Sequence, residues 1–283
     1  MASTAPQIQY RQEFVAAFEQ RQSLLRDCCV TEAVIKGNQA TFLVAGTGTD
    51  VAVSRGTNGL IPAKADTLTQ TAATLAEWHD LRRKTGFNIF ESQSDQRRIM
   101  QENTLAVINR KIDQDILTTL ATATVTAGAS VTASLAYVMR SKTILGNSGV
   151  PWDSNIFAVI SPAFEAYLMQ IKEFADRQYV NNTPMPGADA AWRDRPMTYF
   201  WAGVNWIVHP NISGAGTATE NCFMFHKTAL GHAVNTAGMD VDIGYDGEQQ
   251  YSWARSSIFM GTALLQNSGV VLMKHDGSAY VGV

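Results

Sequence analysis

Apolar residues recur every three or four positions between Ser92 and Thr122, and this spacing predicts one long amphipathic helix. No Gly or Pro interrupts the run, and Ser92 or Ser94 is a candidate for its N-cap. About 28 residues with a rise of roughly 1.5 Å each give a rod of about 42 Å. Because only one face is apolar, we expect this helix to lie across a sheet or another broad surface. The predicted apolar stripe consists of Ile99, Leu105, Ile108, Ile112, Ile116 and Leu120.

Short strands and helices of unequal length are predicted on both sides of this helix. Tyr10–Cys29 has the spacing of an amphipathic helix, with Phe14 and Phe18 on its apolar face. Because strands and helices do not alternate strictly, the pattern predicts an α+β fold. The other predicted elements are a hairpin of Val30–Ile35 and Ala40–Val44, a strand favoured over a helix at Leu75–Arg83, helices at Ala129–Leu145 and Lys227–Val234, and strands at Asn155–Ser161, Met197–Val208, Cys222–Phe225, Tyr251–Leu265 and Gly269–His275.

A further helix start is marked by Ser161 and Pro162. Serine is a favoured N-cap residue, and proline fits the first helical position because its missing N–H would have no partner there. Phe164, Leu168 and Ile171 then form the predicted buried stripe of this helix.

The stretch from Gly46 to Ala73 is rich in Gly and Thr and almost devoid of large apolar side chains. Such a segment cannot bury enough surface to fold on itself, although its Val/Thr content favours extended backbone. Two interpretations fit: a two-stranded arm that projects and rests on a neighbouring molecule, or a flexible surface loop.

Composition restricts the class of protein further. The chain has 283 residues, of which 46% are hydrophobic and 17% charged, and its net charge is −3. No apolar run approaches the ~20 residues of a membrane span, and no basic cluster favours phosphate neutralisation on nucleic acid. The N-terminus has no signal-peptide layout, so we expect the chain to stay in the cytosol where it is made. The adjacent Cys28 and Cys29 do not indicate a disulfide framework.

Candidate chemical motifs are weak, and we predict no enzymatic activity and no cofactor. The chain contains neither a phosphate-binding loop nor a nucleophile elbow. His79 and His275 have no evident partner in the sequence pattern. The sequence offers two candidate metal sites. The spacing and the missing fourth ligand count against zinc, and a solvated acidic turn is a better interpretation than a calcium loop. Their candidate ligands are Cys222, His226 and His232 for zinc and Asp240, Asp242, Asp246 and Glu248 for calcium.

In their order along the chain, the segments resemble a major capsid protein of tailed bacteriophages with the Hong Kong 97-type fold. "YRQEFVAAFEQRQSLLRDCC" resembles the N-terminal arm, and "SRGTNGLIPAK" resembles the tip of the extended loop. "SDQRRIMQENTLAVINRKIDQDIL" resembles the spine helix, and "SSIFMGTALLQNSGVVLMKHDG" resembles the last strands of the peripheral domain. The resemblance covers nearly the whole chain and rests on segment order, with no single diagnostic motif.

This resemblance implies an anatomy. Residues 1–45 would form the N-terminal arm and first hairpin, and residues 46–73 the extended loop. Residues 74–128 and 239–283 would form the peripheral domain, including a spine helix at 92–122, and residues 129–238 the axial domain. Some relatives crosslink a loop lysine to an asparagine; Lys64 and Asn267 lie in comparable segments but in no matching motif. The implied subunit-interface residues are Phe14, Phe18, Arg55, Asn58, Leu60, Ile61 and Lys64.

The resemblance also implies a function. Pentamers and hexamers of the chain would self-assemble into an icosahedral shell that encloses double-stranded DNA without specific binding. A scaffold would be a separate protein or absent, and portal and decoration proteins are further candidate partners. No membrane is involved, and the protein would be made in the host cytoplasm and reside in the virion. Two alternatives remain open: an encapsulin-like compartment of the same fold with an enzyme as cargo, and a soluble α+β enzyme with an unrecognised site.

Overall fold

The structure is a computed structural model, and it describes residues 22–32, 37–46, 50–91, 96–175, 198–235 and 240–280. These residues form two five-stranded sheets and one two-stranded ribbon, joined by helices in the predicted α+β arrangement. None of the helices described has the length and apolar character needed to cross a membrane. The helices are α1 (Gly86–Glu91), α2 (Gln96–Leu120), α3 (Leu135–Asn147), α4 (Pro162–Leu168) and α5 (Lys172–Ala175). The strands are β1 (Val30–Glu32), β2 (Gln39–Gly46), β3 (Thr67–Thr74), β4 (Ala76–Thr85), β5 (Ile156–Ile160), β6 (Thr198–Trp201), β7 (Val204–Val208), β8 (Glu220–His226), β9 (Leu230–Val234), β10 (Asp240–Asp246), β11 (Tyr251–Leu264) and β12 (Val270–His275).

The long helix is present as α2, which has 25 residues. Its stripe is buried at the four predicted positions from Ile108 to Leu120, whereas Ile99 and Leu105 are only half-buried. The pattern missed the buried Met100 and Thr104, because the helix presents a neighbouring face to the protein at its N-terminal end. The candidate caps, Ser92 and Ser94, lie outside the described residues.

The helix lies across one face of the first sheet, as the amphipathic pattern predicted. This sheet has the order β1-β9-β11-β10, with β4 antiparallel to β11 on the edge opposite β10. Thr104 and Ser256 share a 2.9 Å hydrogen bond between their hydroxyl groups, and Lys111 Nζ lies 3.8 Å from the centre of the Trp78 ring. Residues 75–83 are therefore extended, mostly within β4, as favoured, and the helix packs on β4 and β11 together.

The second sheet has the order β12-β8-β5-β7-β6 and holds much of the main hydrophobic core. Its central strand β5 is buried at every position, which fits the continuous apolar run at Asn155–Ser161. The hydroxyl of Ser161 accepts a hydrogen bond from the Phe164 amide, and Pro162 occupies the first turn of α4. The predicted cap is thereby confirmed; Phe164 and Leu168 are buried, whereas Ile171 lies beyond the helix and is half-buried.

Several local predictions were wrong. The described parts of the expected hairpin pair elsewhere: β1 lies parallel to β9, and β2 pairs with β3. The helix expected from Ala129 begins only at Leu135, where Ser134 supplies the cap. Lys227–Val234 is a 3-10 turn followed by strand β9, because Leu230–Val234 is buried on every side and pairs with two strands. Met197–Val208 divides into two strands at Ala202–Gly203, which both adopt positive φ.

Sheet membership also divides the chain differently from the predicted domain boundaries. Strand β9, which lies within residues 129–238, belongs to the first sheet beside β11. Strand β12, which lies within residues 239–283, belongs to the second sheet beside β8. The chain therefore passes between the two sheets near residues 227–230 and again near residues 264–270, and no hairpin joins β11 to β12.

Candidate functional site

The extended loop is carried by an antiparallel ribbon of β2 and β3, paired from Gln39 and Thr74 at its base to Gly46 and Thr67. The ribbon begins seven residues earlier than the segment assigned to the loop from the sequence. At the base, alternate side chains face the first sheet and form a small second core. The buried members of this core are Ala40, Phe42, Ala73, Ala233 and Ala263.

Two glycines of the first sheet allow the ribbon to approach closely. A Cβ on Gly231 of β9 would lie 2.8 Å from the Phe42 ring, and a Cβ on Gly261 of β11 would overlap with the Thr74 carbonyl oxygen. Glycine inside a strand commonly marks such close approach of another segment. Sequence reasoning missed both positions, although an isolated glycine within each apolar run was the available signal.

Beyond its base the loop loses contact with the body. Residues 50–66, here called the loop tip, contain no regular strand or helix, and all of them are exposed. Leu60 and Ile61 retain 69% and 65% of their accessible surface. Other large apolar residues exposed along the ribbon and tip are Leu43, Val51, Val53 and Leu68. Since several exposed apolar side chains on one projection are unusual for a monomeric surface, this projection is the strongest candidate interaction site.

The loop tip nevertheless has local order. Gly56 N donates to the Leu60 carbonyl at 3.0 Å, and Gly59, with φ 76°, donates to Gly56 at 2.9 Å. Lys64 Nζ donates to the Val51 carbonyl at 2.6 Å and lies 3.6 Å from an Asp50 carboxylate oxygen. A hydrogen-bonded turn, and the hydrogen bond from Lys64 to Val51 on the opposite side of the tip, therefore give the tip its shape.

Five of the seven predicted interface residues lie together on this tip, and all five are exposed. They are Arg55, Asn58, Leu60, Ile61 and Lys64. The other two, Phe14 and Phe18, lie outside the described residues. An intersubunit role for all seven stays a prediction. Asn267, the candidate crosslinking partner of Lys64, binds Thr124 through both atoms of its amide group.

A second candidate surface is the face of the first sheet opposite α2, which sequence reasoning missed. Strand register places Trp253 and Arg255 of β11 and Leu81 of β4 on this face, where they are partly exposed. Arg255 pairs with Asp240 at 3.1 Å, and the Arg83 guanidinium lies 5.0 Å from the centre of the Tyr251 ring. The face therefore combines aromatic surface with charges that are already paired.

The described residues contain no group of three or more possible metal ligands. Burial raises the pKa of the Cys222 thiol to about 12. His226 and His232 belong to different sheets, where they bond Asp153 at 2.8 Å and Thr262 at 3.1 Å. The zinc candidates therefore do not converge.

The calcium candidates lie on and just after an ordinary strand. Asp240 and Asp242 are on β10, where both approach Arg255. Asp246 caps the following turn by accepting from the Glu248 and Gln249 amides, and these bonds, the Gln249 amide first, lower its pKa. This arrangement is the solvated acidic turn that the sequence predicts.

The two remaining histidines differ in their surroundings. His79 has a carboxylate partner after all: Nε2 lies 2.8 Å from Glu77, and Nδ1 lies 2.8 Å from the Ser257 hydroxyl. Cross-strand register, which the sequence does not display, brings His79 to Ser257. His275 is fully buried, and neither of its ring nitrogens has a partner among the described residues.

Comparisons with known proteins give a family from the sequence and a fold from the solved structures. A sequence model of the family described as phage capsid protein matches residues 2–276. No curated protein matches the sequence. Among solved structures, a chain of Mycobacterium phage Che8 is 12% identical with a TM-score of 0.70, and the match covers 96% of this chain and 98% of the other. For the capsid of Ralstonia phage GP4 the identity is 10%, the TM-score 0.67 and the coverage 98% and 97%. For the capsid of a native GTA particle these values are 12%, 0.64, 98% and 99%. At these identities the structural likeness shows the fold.

Proposed function

Because this chain belongs to the phage capsid protein family, we propose that each copy places its extended loop on a neighbouring copy within an icosahedral shell that encloses double-stranded DNA. The chain is a major capsid protein of the Hong Kong 97-type fold, and its role is structural. The contact made by the loop, the enclosed DNA and the residues involved are the proposed part.

The exposed loop tip carries this proposal. Leu60 and Ile61 keep about two thirds of their surface in contact with water. Burying one such side chain stabilises by about 1.5–3 kcal/mol, so a neighbour that covers both supplies a favourable contact that the single chain lacks. The contact joins different surfaces of the two copies, and contacts of this type close into rings when the rotation permits.

The receiving surface that we favour is the open face of the first sheet. Trp253 and Leu81 supply apolar area there, and the ion pair of Arg255 with Asp240 borders it. Leu60 and Ile61 of the loop can be buried against Trp253 and Leu81, while the cationic Arg55 stays at the solvent-exposed rim of the interface. Aromatic residues are enriched at the centres of protein interfaces.

The two sheets suggest a revised anatomy. We assign the first sheet and α2 to the peripheral domain and the second sheet with α3 and α4 to the axial domain. Under this assignment β9 moves to the peripheral domain and β12 to the axial domain, and residues 39–74 form the extended loop. Pentamers and hexamers then form around the axial domain.

Enclosure of DNA without tight binding fits the charge of the chain. The net charge is −3, and the lysines and arginines form no long run. Tight binding to DNA requires many phosphate contacts from basic side chains. An encapsulin-like compartment remains the alternative, and no observation favours it; particles that contain protein cargo and no DNA would support it. Scaffolding, portal and decoration proteins are further proposed partners of this particle.

Deletion of Arg55–Ala65 tests the loop contact. We expect a soluble, folded subunit that forms no closed particles, as checked by circular dichroism and negative-stain electron microscopy. Replacement of the same residues by a Gly/Ser segment of equal length is the matched control for loop length. This control should also fail to assemble, because it lacks Leu60 and Ile61. Normal particles from the deletion variant would refute the proposed contact.

A further inference from the structure

A buried carboxylate on the middle of α2 joins three separate parts of the chain. Asp113 accepts from the Ser23 hydroxyl at 2.5 Å and from the amides of Leu24 and Leu25 at 3.0 and 3.2 Å. His209, just after β7 of the second sheet, has its Nε2 3.2 Å from Oδ2 of the same carboxylate, the oxygen that also accepts from Leu24. We call these five residues the Asp113 anchor.

The hydrogen bonds define the protonation of this group. The Asn211 amide donates to His209 Nδ1 at 3.1 Å, so the ring proton resides on Nε2 and points to Asp113. Each carboxylate oxygen then accepts two hydrogen bonds. Burial alone would raise the pKa of Asp113, but bonds from His209, Ser23 and Leu24 outweigh it and hold the pKa below its usual value. The carboxylate is therefore charged and fully satisfied.

The anchor fixes the point at which the N-terminal segment joins the body. Ser23, Leu24 and Leu25 immediately precede the 3-10 turn Arg26–Cys28, and the Ser23 hydroxyl also accepts from the Arg26 amide at 3.3 Å. Cys28 ends this turn and Cys29 follows it; both thiols are buried, and they donate to the Leu24 and Leu25 carbonyls at 3.7 Å. The apolar stripe of α2 gives no reason for a buried carboxylate at Asp113, so its hydrogen bonds must supply one.

We propose that Asp113 positions the N-terminal segment by binding Ser23, Leu24 and Leu25, here called its root, to the spine helix and to the second sheet at once. Loss of the charge frees the root while the two sheets stay folded. The consequence for shell formation rests on the proposed function; the local consequence does not.

Asn is the informative replacement because it keeps the shape of Asp113. The Asn amide has only one acceptor oxygen, and its NH2 group would face an N–H donor. At least one of the Leu24 and Leu25 amides would therefore lose its hydrogen-bond partner. Asp115→Asn is the matched control. Asp115 lies two residues further along the same helix and accepts from Thr262 at 2.6 Å, so its partner belongs to the first sheet.

The three cysteines provide the readout on the full-length protein. Cys28 and Cys29 lie behind the anchor, whereas Cys222 is buried in β8 of the second sheet. Labelling with a thiol reagent at neutral pH, followed by mass spectrometry, measures opening at both places. We expect Asp113→Asn to accelerate labelling of Cys28 and Cys29 on the order of ten-fold, as the loss of hydrogen bonds to a charged group implies. Labelling of Cys222 should not change.

Other outcomes would overturn the proposal. Equal acceleration at all three cysteines would show that Asp113 only supports global stability. No acceleration, or the same effect from Asp115→Asn, would show that the carboxylate does not hold the root.

Particle yield by electron microscopy tests the second part: Asp113→Asn should give fewer closed shells than Asp115→Asn. Normal shells together with accelerated labelling would refute the role of Asp113 in assembly, whereas its role in holding Ser23, Leu24 and Leu25 would stand. Absence of shells from the wild-type chain would instead count against the proposed function, because labelling tests the anchor independently.

Discussion

The α-carbon of Gly261 faces the carbonyl oxygen of Thr74 so closely that a β-carbon there would overlap with this oxygen. Gly261 belongs to the long strand β11, and Thr74 ends the ribbon strand β3. The pair therefore sets the distance between the extended loop and the sheet on which its base rests. A backbone oxygen cannot rotate away as a flexible side chain can.

Gly261→Ala should therefore displace the base of the ribbon. We expect the free energy of unfolding to fall by about 1–3 kcal/mol, the usual cost of overpacking, with fewer closed particles. Denaturant unfolding of subunits and electron microscopy are the measurements. Gly247→Ala is the control, since a Cβ on Gly247 would meet nothing within 4 Å. Equal stability of the two variants would contradict the close approach.

The amphipathic spine and the projecting loop were predictable because their patterns are local. The stripe from Ile108 to Leu120 follows helical spacing, and Gly46–Ala73 lacks the apolar residues that a compact segment needs. Ser161 and Pro162 likewise carry a local capping signal, and the structure confirms it.

Strand partners were not predictable, because they depend on contacts between residues distant in sequence. The run Leu230–Val234 has no period that distinguishes a buried helix turn from a buried strand, and its pairing with β1 and β11 decides the matter. The Asp113 anchor escaped notice for the same reason. Its partners Ser23 and His209 lie 90 and 96 positions away in the chain.

Two capping serines should differ in importance. The Ser161 hydroxyl accepts from the Phe164 amide and donates to the fully buried Glu220, whereas the Ser134 hydroxyl accepts from the Tyr137 amide and is exposed. Ser134→Ala should cost about 1 kcal/mol, as an ordinary cap does. Ser161→Ala should cost about 2–3 kcal/mol, because Glu220 also loses a donor in a buried site. Chemical denaturation of both variants checks the difference, and equal losses would show that the bond to Glu220 contributes nothing.

Acid should weaken the fold through His275. Burial lowers the pKa of this residue, and the nearby Glu220 and Asp276 only partly oppose the effect. The unfolded chain therefore takes up a proton near the ordinary value of 6.5 while the folded chain does not. The stabilising contribution is complete above that value and is lost as the pH falls below it, by up to about 1.4 kcal/mol per pH unit.

Replacement by phenylalanine tests this pH dependence. The ring of His275 packs edge-on against Phe164 and Tyr167 at centroid distances of 4.8 and 5.3 Å, and phenylalanine can keep both contacts. We expect His275→Phe to lose about 1–2 kcal/mol less stability than the wild-type chain between pH 7 and pH 5. Tyr167→Phe, which keeps the ring beside His275 and removes only a hydroxyl, should keep the wild-type slope. An unchanged slope in His275→Phe would refute the assignment.

Substitutions at the loop tip separate folding from assembly. Leu60 and Ile61 contribute little to the fold of a single chain because both are exposed. The double variant Leu60→Ser/Ile61→Ser should therefore unfold within about 0.5 kcal/mol of the wild-type subunit, as exposed substitutions usually do. In a shell each copy would lose two buried apolar side chains, at about 1.5–3 kcal/mol each, and the loss recurs at every subunit. Particle yield by light scattering and electron microscopy should fall steeply, whereas Ala63→Ser on the same tip should assemble normally. If the double variant unfolds easily, Leu60 and Ile61 contribute to the fold of the single chain. If it forms normal shells, they do not contribute to the interface between subunits.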